Sequence, residues 1–543
     1  MAGFVAAIEA SELGASVILA VDGKVGRSGC TPLGGGPGGA DFMVDSASIS
    51  TVLGLDDLGP QPPDMRDTSL LFREDVLSEG GDINNQRMVN VYVSEAPRRM
   101  KRLMDLGLRI SSIDFAHGSR FPRGVISMNR DIASTMIRGI VSSDVKVLED
   151  TRIVDLLMAE GRCAGGAGVD TMSGDLVGVD ARATVIATGG WQMAYHSGGS
   201  DELTGDGQAM AIRVGAELVD MEFGTFMDRY LVWPPMGSRD NFIWDWMVSR
   251  SLVNSEGDEV VPGEEGGLIG SSRRVSEEVS EGRVGVHGGV YLQNPEECIG
   301  DGYVKMGSLL QAWNHSGTSF EVAVGFHYCN GGVKVNERTE TSVPGLYAAG
   351  EASGGLFGAR RVASALSEAM VQGGLAGENA ADYAGGHPAL RSGKAFLGGL
   401  RDRLLAPLGK DGDVGPSELR RSIRRVTSRH LSLHRNGPGL REAVGELGRM
   451  RVDLLPGVGV SGTESRRFNR EWMDCLSLES LLICVEASAR AALMRKESRG
   501  FHRRVDHLLR DDERWLRNLV VRMGRGGLEL TAVPVVSSTP GMD

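Results

Sequence analysis

The sequence predicts an α/β protein carrying an inserted α+β domain and a helical C-terminal domain. Three observations predict it. Short apolar strands and helical patterns alternate up to about residue 220, the rhythm of a parallel sheet. A stretch rich in Trp, Arg and acidic residues, with weak periodicity, then interrupts that rhythm from residue 226. Beyond about residue 412 the pattern is almost wholly helical and charged.

Taken in order, residues 4–13 read as a helix with small and apolar residues on one side, which Gly14 stops. SVILAV (16–21) is a short apolar strand ending at Asp22, so helix and strand resemble the second half of a dinucleotide-binding βαβ unit. The stretch 145–170 reads as a small antiparallel excursion, and ARATVIATGG (181–190) as a buried strand running into a double glycine. GLYAAGEASGG (345–355) is the last central strand, followed by a helix near 364–384 and a linker at 384–394. The C-terminal part holds a longer helix over 476–499 and a less regular tail.

Gly accounts for 77 of 543 residues, about twice the usual ~7% share, which suggests tight turns and close backbone approach to a ligand. The net charge of −13 disfavours a nucleic-acid partner, because no broad basic surface is available for phosphates. The six cysteines include no CxxC pair, so neither an iron–sulfur cluster, nor a metal site, nor a disulfide framework is expected in this chain; a reducing cytoplasm fits. No run of ~18 apolar residues is present to span a membrane, and the acidic N-terminal stretch does not read as a secretory signal.

Four glycine-containing segments stand where chemistry is expected: GRSGCTPLGGGPGG (26–39), ATGG (187–190), TGDG (204–207) and AAGEASGG (348–355). Glycine N–H groups approach anions closely, and ligands of open α/β sheets bind outside the carboxyl ends of the strands. Each segment alone is a turn. Together, at three strand ends and one helix start, they point to one shared site.

These segments, with HYCNGGVKVNERTETSVPGLYAAGEASGG, GARRVASALSEAM and the C-terminal KESRGFHRRVDHLLRDDERWL, resemble the flavoprotein subunit family of succinate dehydrogenase and fumarate reductase. That family also contains L-aspartate oxidase and the adenylylsulfate reductase flavoprotein. The resemblance implies a Rossmann-like FAD-binding domain from residues 1–225 and 325–385, a capping domain over 226–324 and a helical domain over 386–543. It assigns the cofactor to Gly3 and Asp22, to Ser28, Gly29, Thr31, Gly35 and Gly36, and to Ile153. Further along, it assigns Thr188, Gly189, Gly190, Thr204, Gly205, Asp206, Gly350, Glu351, Arg361, Ser364 and Leu366. FAD is expected to be non-covalent, since Gly29 stands where tethering relatives carry histidine. Ala2-Gly3 match only the end of the family's GxGxAG turn. The preceding strand is expected upstream of Met1, and its genuine loss is the alternative.

The resemblance further implies hydride exchange between flavin N5 and a carbon beside a carboxylate. Arg361 and His327 are then the expected substrate contacts, Arg361 through its planar fork. Three departures point away from plain fumarate or succinate. Met227 replaces a histidine, Arg360 an asparagine, and Glu278 falls where relatives place the proton-transferring arginine. Arg274, one turn earlier, and Glu278, as a carboxylate of raised pKa, are the alternative acid–base candidates, against a reading of that helix as a solvated charged face. Trp233, Trp244 and Trp246 would make the cavity partly aromatic, or simply form core. The substrate is expected to be an organic acid. Two rivals stand beside a free enzyme: a subunit passing electrons to an iron–sulfur partner, and a decayed relative that serves as a scaffold.

Overall fold

A computed structural model describes residues 1–33, 39–116, 119–192, 203–233, 252–261, 267–292, 320–361, 365–410, 412 and 414–538. The first helix, Ala2–Glu12, buries Phe4, Val5 and Ile8 among alanines and ends at Gly14, whose φ of 83° is the left-handed value that favours glycine. It lies along the helix Ala365–Gly386 at close range. A Cβ at Gly373 would stand 2.6 Å from the Ala2 carbonyl oxygen, and one at Gly377 would stand 2.4 Å from that of Ala6. Only glycine permits this approach.

Beneath these helices run two parallel strand pairs, Ile18–Ala20 with Lys146–Leu148 and Thr184–Ile186 with Leu346–Ala348. Among the described residues no ladder joins one pair to the other. Gly3 of the first helix packs against both, since a Cβ there would meet Ala187 at 3.4 Å and Leu19 at 3.7 Å. The antiparallel excursion is real but begins at Thr151: Thr151–Ala159, Arg162–Asp170 and Leu176–Asp180 form it, while Lys146–Leu148 stays in the parallel pair.

The strands Gly224–Trp233 and Glu321–Cys329 lead out to a five-stranded antiparallel sheet with Val290–Leu292, Leu252–Val253 and Glu259–Val260. The helix Gly267–Ser280 covers it, and Leu231, Val275, Val290 and Val322 form a separate small core there. Trp233 stacks on His287 at 3.8 Å; Trp244 and Trp246 lie outside the described residues.

The C-terminal helices Pro416–His430, Gly437–Arg449 and Arg470–Met494 pack together, and Lys394–Leu405 is tied to them where the Trp472 indole donates to the Leu404 carbonyl oxygen at 2.7 Å, a helical region as the sequence predicts. Two details differ. The long helix stops at Met494 because Arg495 turns extended and buries its guanidinium against Glu222 (2.8 Å) and Glu497 (2.8 Å). The tail is not irregular: Arg517–Gly524 and Gly527–Pro534 form a hairpin that joins Leu218–Val219, Gly332–Lys334 and Ser353–Gly354 in one sheet. The N–H of Asp220 donates to Leu519 just beyond that ladder.

The arginines after residue 494 are internal ties. Arg499 holds Glu497 through Nε (2.7 Å) and Nη2 (2.9 Å) and donates to the Gly81 carbonyl. Arg435 donates to the Glu222 carbonyl oxygen at 2.6 Å and to His502 Nδ1 at 2.9 Å, and burial and neighbouring guanidinium groups push His502 well below its usual range. Beside them Asp220, with φ 59°, accepts from Asn518 at 2.8 Å, and burial, then Glu222, raises its carboxyl to about 7. The folded chain therefore binds more protons than the unfolded one between the ordinary carboxylate range and pH 7, so this group costs stability as pH rises through that window. Asp220→Asn keeps the acceptor and tolerates the left-handed backbone. Its urea midpoint is expected to exceed that of the wild type at pH 8 by the equivalent of about 1–4 kcal/mol, the gap closing towards pH 4. Parallel pH profiles would refute this.

Candidate functional site

The strand Thr184–Ile186 ends in Ala187–Gly190, and Leu346–Ala348 ends in Gly350 and Glu351. Gly189 (φ 75°) and Gly350 (φ 67°) take backbone conformations that side chains disfavour. Glu351 links the two turns to a third element: its carboxylate accepts from the N–H of Cys329 at 3.1 Å and from that of Gly190. A Cβ at Gly190 would stand 2.9 Å from both Glu351 Oε1 and Cys329 Sγ. The Cys329 thiol in turn accepts from the Trp191 N–H (3.2 Å) and donates to its carbonyl oxygen (2.9 Å).

The helix Asp206–Arg213 starts in the same place. Thr204 donates to Asp206 at 2.8 Å, Gly205 (φ 76°) passes over Cys484, and Gln208 donates to the Gly189 carbonyl at 2.9 Å. A Cβ at Gly207 would come within 2.2 Å of Thr188 Oγ1. Of the first loop, Gly35 and Gly36 lie outside the described residues, as does Ser364. Ser28 bonds its own turn through Lys24, Gly29 has φ 74°, and Thr31 accepts from the Met1 nitrogen at 2.9 Å, beside Ala2 and Gly3. A Cβ on Gly350 would lie 3.0 Å from that of Ala2. Segments 187–190, 204–207 and 348–355 are thus joined directly, and the first loop reaches them through Met1 and Ala2.

Asp22 is more occupied than expected. Both its oxygens accept from Arg152 (3.0 and 2.6 Å), which also donates to Ser477 at 2.8 Å; Ile153 follows in the same strand. A carboxylate so held keeps only its remaining lone pairs for a ribose.

Arg361 is buried. Nη1 pairs with Glu368, Nη2 donates to the Cys329 carbonyl oxygen at 2.8 Å, the guanidinium lies 5.0 Å over the Phe357 ring, and Nε has no partner among the described residues. Burial opposes its charge, but Glu368 and Glu351 more than offset that and hold it above its ordinary value; burial raises both carboxyls in turn. Leu366 is buried in the first turn of the following helix. His327, also buried, shares a short hydrogen bond through Nδ1 with the Tyr230 hydroxyl. The Tyr328 ring lies 4.1 Å from the imidazole and 5.8 Å from the Arg361 guanidinium, so the two expected substrate contacts come near the same ring.

Arg274 and Glu278 are a different matter. Glu278 pairs with Arg283 (2.6 Å), with Arg274 (2.5 Å) and with Asn254 (3.2 Å), and Arg283 above all holds its carboxyl below the usual range. The raised pKa expected of a base does not arise, because two cations neutralise the carboxylate. Arg274 is committed to the same cluster and to Glu277 at 3.6 Å. Met227 is buried beside Tyr230 and Tyr328. Sequence reasoning passed over Tyr230, Cys329 and Glu368. The signal for Glu368 is its place seven residues after Arg361, at the start of a helix.

Comparison with known proteins gives the same reading. Residues 1–243 and 296–366 match the FAD binding domain model, and residues 420–540 match the fumarate reductase flavoprotein C-terminal model. The chain is 29% identical over 537 residues to one subunit of the fumarate reductase (CoM/CoB) of Methanothermobacter marburgensis, covering 93% of this chain and 92% of that one. It is 29% identical over 500 residues to L-aspartate oxidase of Streptomyces coelicolor, covering 84% and 82%. The Mycobacterium smegmatis Sdh1 complex contains a chain that superposes with a TM-score of 0.85 at 28% identity, over 99% of this chain and 93% of that one.

The residues present fit FAD. Gly189, Gly190 and Gly350 let the two strand ends close on Leu203, Cys329, Glu351 and Ala2, which fixes the Glu351 carboxylate acceptor at the carboxyl ends of the strands, where a dinucleotide binds in such sheets. Gly190→Ala displaces Glu351. It is expected to weaken FAD retention about tenfold or more with the fold intact, read from the ratio of flavin to protein absorbance and from far-ultraviolet circular dichroism. Full flavin content in a folded variant would refute it. The chain belongs to the succinate dehydrogenase/fumarate reductase flavoprotein family and is a FAD-dependent oxidoreductase.

Proposed function

We propose that this chain exchanges a hydride with a carbon beside the carboxylate of a small organic acid other than plain fumarate or succinate, with FAD bound non-covalently. The observation that supports this reading is that Arg361 and His327 both lie within 6 Å of the Tyr328 ring, at the strand end that also fixes Glu351. Bound FAD supplies the hydride acceptor or donor. Arg361 supplies charge: Glu368 and the Cys329 carbonyl oxygen fix the guanidinium, leaving its other N–H donors for a carboxylate. His327 supplies a second polar contact. Two features speak against a dicarboxylate of the usual kind, namely Met227 in place of a polar group and the neutralised Arg274–Glu278–Arg283 cluster.

A second reading, in which the chain is one subunit of an electron-transfer complex, is favoured by the likeness to a chain of the Sdh1 complex. The six cysteines include no CxxC pair, so in this reading an iron–sulfur relay would belong to a partner chain. Co-purification with a cysteine-rich protein would support it.

Purified protein reduced with dithionite and mixed with fumarate, oxaloacetate or iminosuccinate, or oxidised protein mixed with succinate or L-aspartate, reports turnover through the flavin band. Arg361→Ala is expected to lower kcat/KM for whichever acid reacts by about 100-fold or more, and Arg361→Lys to recover only part of it. Unchanged turnover in Arg361→Ala would remove the arginine from the site.

A further inference from the structure

We propose that Tyr230 is a positioning residue for His327, fixing the imidazole with its proton on Nε2 so that a donor, and not a lone pair, is offered to the substrate carboxylate. The inference rests on the reading of His327 as a carboxylate contact.

The geometry that places Tyr230 is local and specific. Between Gly224–Trp233 and Glu321–Cys329 the register slips after Met227, so that Met227 faces Gly325 while Tyr230 faces Ala323. Such a bulge re-aims the side chains that follow it. The Tyr230 ring then lies over Gly325, where a Cβ would come within 2.2 Å of the ring carbon Cδ2, so the neighbouring strand makes room for it. Tyr230 is fully buried, and its hydroxyl reaches His327 Nδ1.

The polarity of that hydrogen bond follows from the chemistry of the partners. A phenol is a far better proton donor than a neutral imidazole N–H, and an imidazole nitrogen is a better acceptor than a phenol oxygen. The strong arrangement therefore has Tyr230 O–H donating to Nδ1, which leaves the ring proton on Nε2. The opposite tautomer would turn the Nε2 lone pair on any anion bound there. With Arg361 supplying charge near the same Tyr328 ring, an imidazole of fixed tautomer adds direction.

The test uses the full chain with FAD, labelled with nitrogen-15 histidine; His327 among the 10 histidines is assigned by loss of its signals in His327→Gln. Wild-type His327 is expected to show protonated Nε2 and unprotonated Nδ1 between pH 6 and pH 8. Tyr230→Phe keeps the ring over Gly325 and is expected to give a mixture of tautomers, with binding of malonate, followed through the flavin spectrum, weakened about fivefold. A proton on Nδ1 in the wild type, or an unaltered single tautomer in a folded Tyr230→Phe, would overturn the proposal. Should Tyr230→Phe not fold, 3-fluorotyrosine at position 230, a stronger donor of nearly the same size, is expected to retain the Nε2–H tautomer, and its loss would overturn the proposal equally. Wild-type His327 signals left unmoved by malonate, lactate and L-aspartate alike would instead sink the carboxylate reading, independently of the tautomer result.

Discussion

The site hangs on the end of one strand. At Cys329 the main-chain N–H holds Glu351, the carbonyl holds Arg361, and the thiol closes on both polar atoms of the Trp191 backbone. Every hydrogen-bonding group of a single residue is thus spent on joining three segments distant in sequence. The strand Glu321–Cys329 belongs to the outer antiparallel sheet, and three residues later the chain enters the central sheet as Gly332–Lys334. A displacement of the outer sheet along this strand would be felt by the carboxylate at 351 and the guanidinium at 361 together. The turn is tight enough that a Cβ at Gly331 would stand 2.5 Å from the Asp220 carbonyl, so Asn330-Gly331-Gly332 is a joint set by backbone contact.

What the sequence revealed and what it hid divide along the range of the interactions. Glycine segments at strand ends are legible because the turn and the ligand's approach place their demand on the same few residues, as at Gly189, Gly205 and Gly350. His327 and Arg361 are proposed from the segments that carry them. Tyr230 is not legible: its aim depends on a bulge in the ladder, which periodicity along one strand does not reveal. Glu278 misled because burial alone suggests a raised carboxyl, whereas Arg283, from beyond the helix end, reverses the sign. The terminal hairpin is hidden for a similar reason, since Arg517–Gly524 gains its sheet partner from Leu218–Val219, some three hundred residues earlier.

Burying so many charges is expensive unless each is met. An isolated buried ion costs several kcal/mol, and even a paired one gains little over a well-packed apolar side chain. Arg495 illustrates the condition: two carboxylates and the carbonyl oxygens of Trp515 and Arg517 surround it. Through Glu222 and Arg435 this network reaches the first residues of the strand pair that leads to His327, and through Arg499 it reaches Gly81. Its value lies in registry: C-terminal helix, hairpin and central sheet are fixed by donors and acceptors that fit in one arrangement. Asp220, whose second oxygen lacks a partner among the described residues, is the place where that fit is incomplete.

The same accounting separates the two arginine environments of the proposed substrate region. Around Glu278, three side chains saturate one carboxylate, and Arg274 and Arg283 are committed to it. Moving a proton through Arg274 would leave that carboxylate short of a cation in a half-covered cluster. At Arg361 the balance runs the other way. Two of its five N–H donors are used, both by partners that restrain the plane of the guanidinium, and Nε is buried without a described acceptor. A buried donor left unmet carries a desolvation cost of about 1–3 kcal/mol, which an incoming carboxylate would relieve. On the proposed reading, Arg361 is a fixed cation with a donor unmet among the described residues, and the cluster at Glu278 offers no such donor.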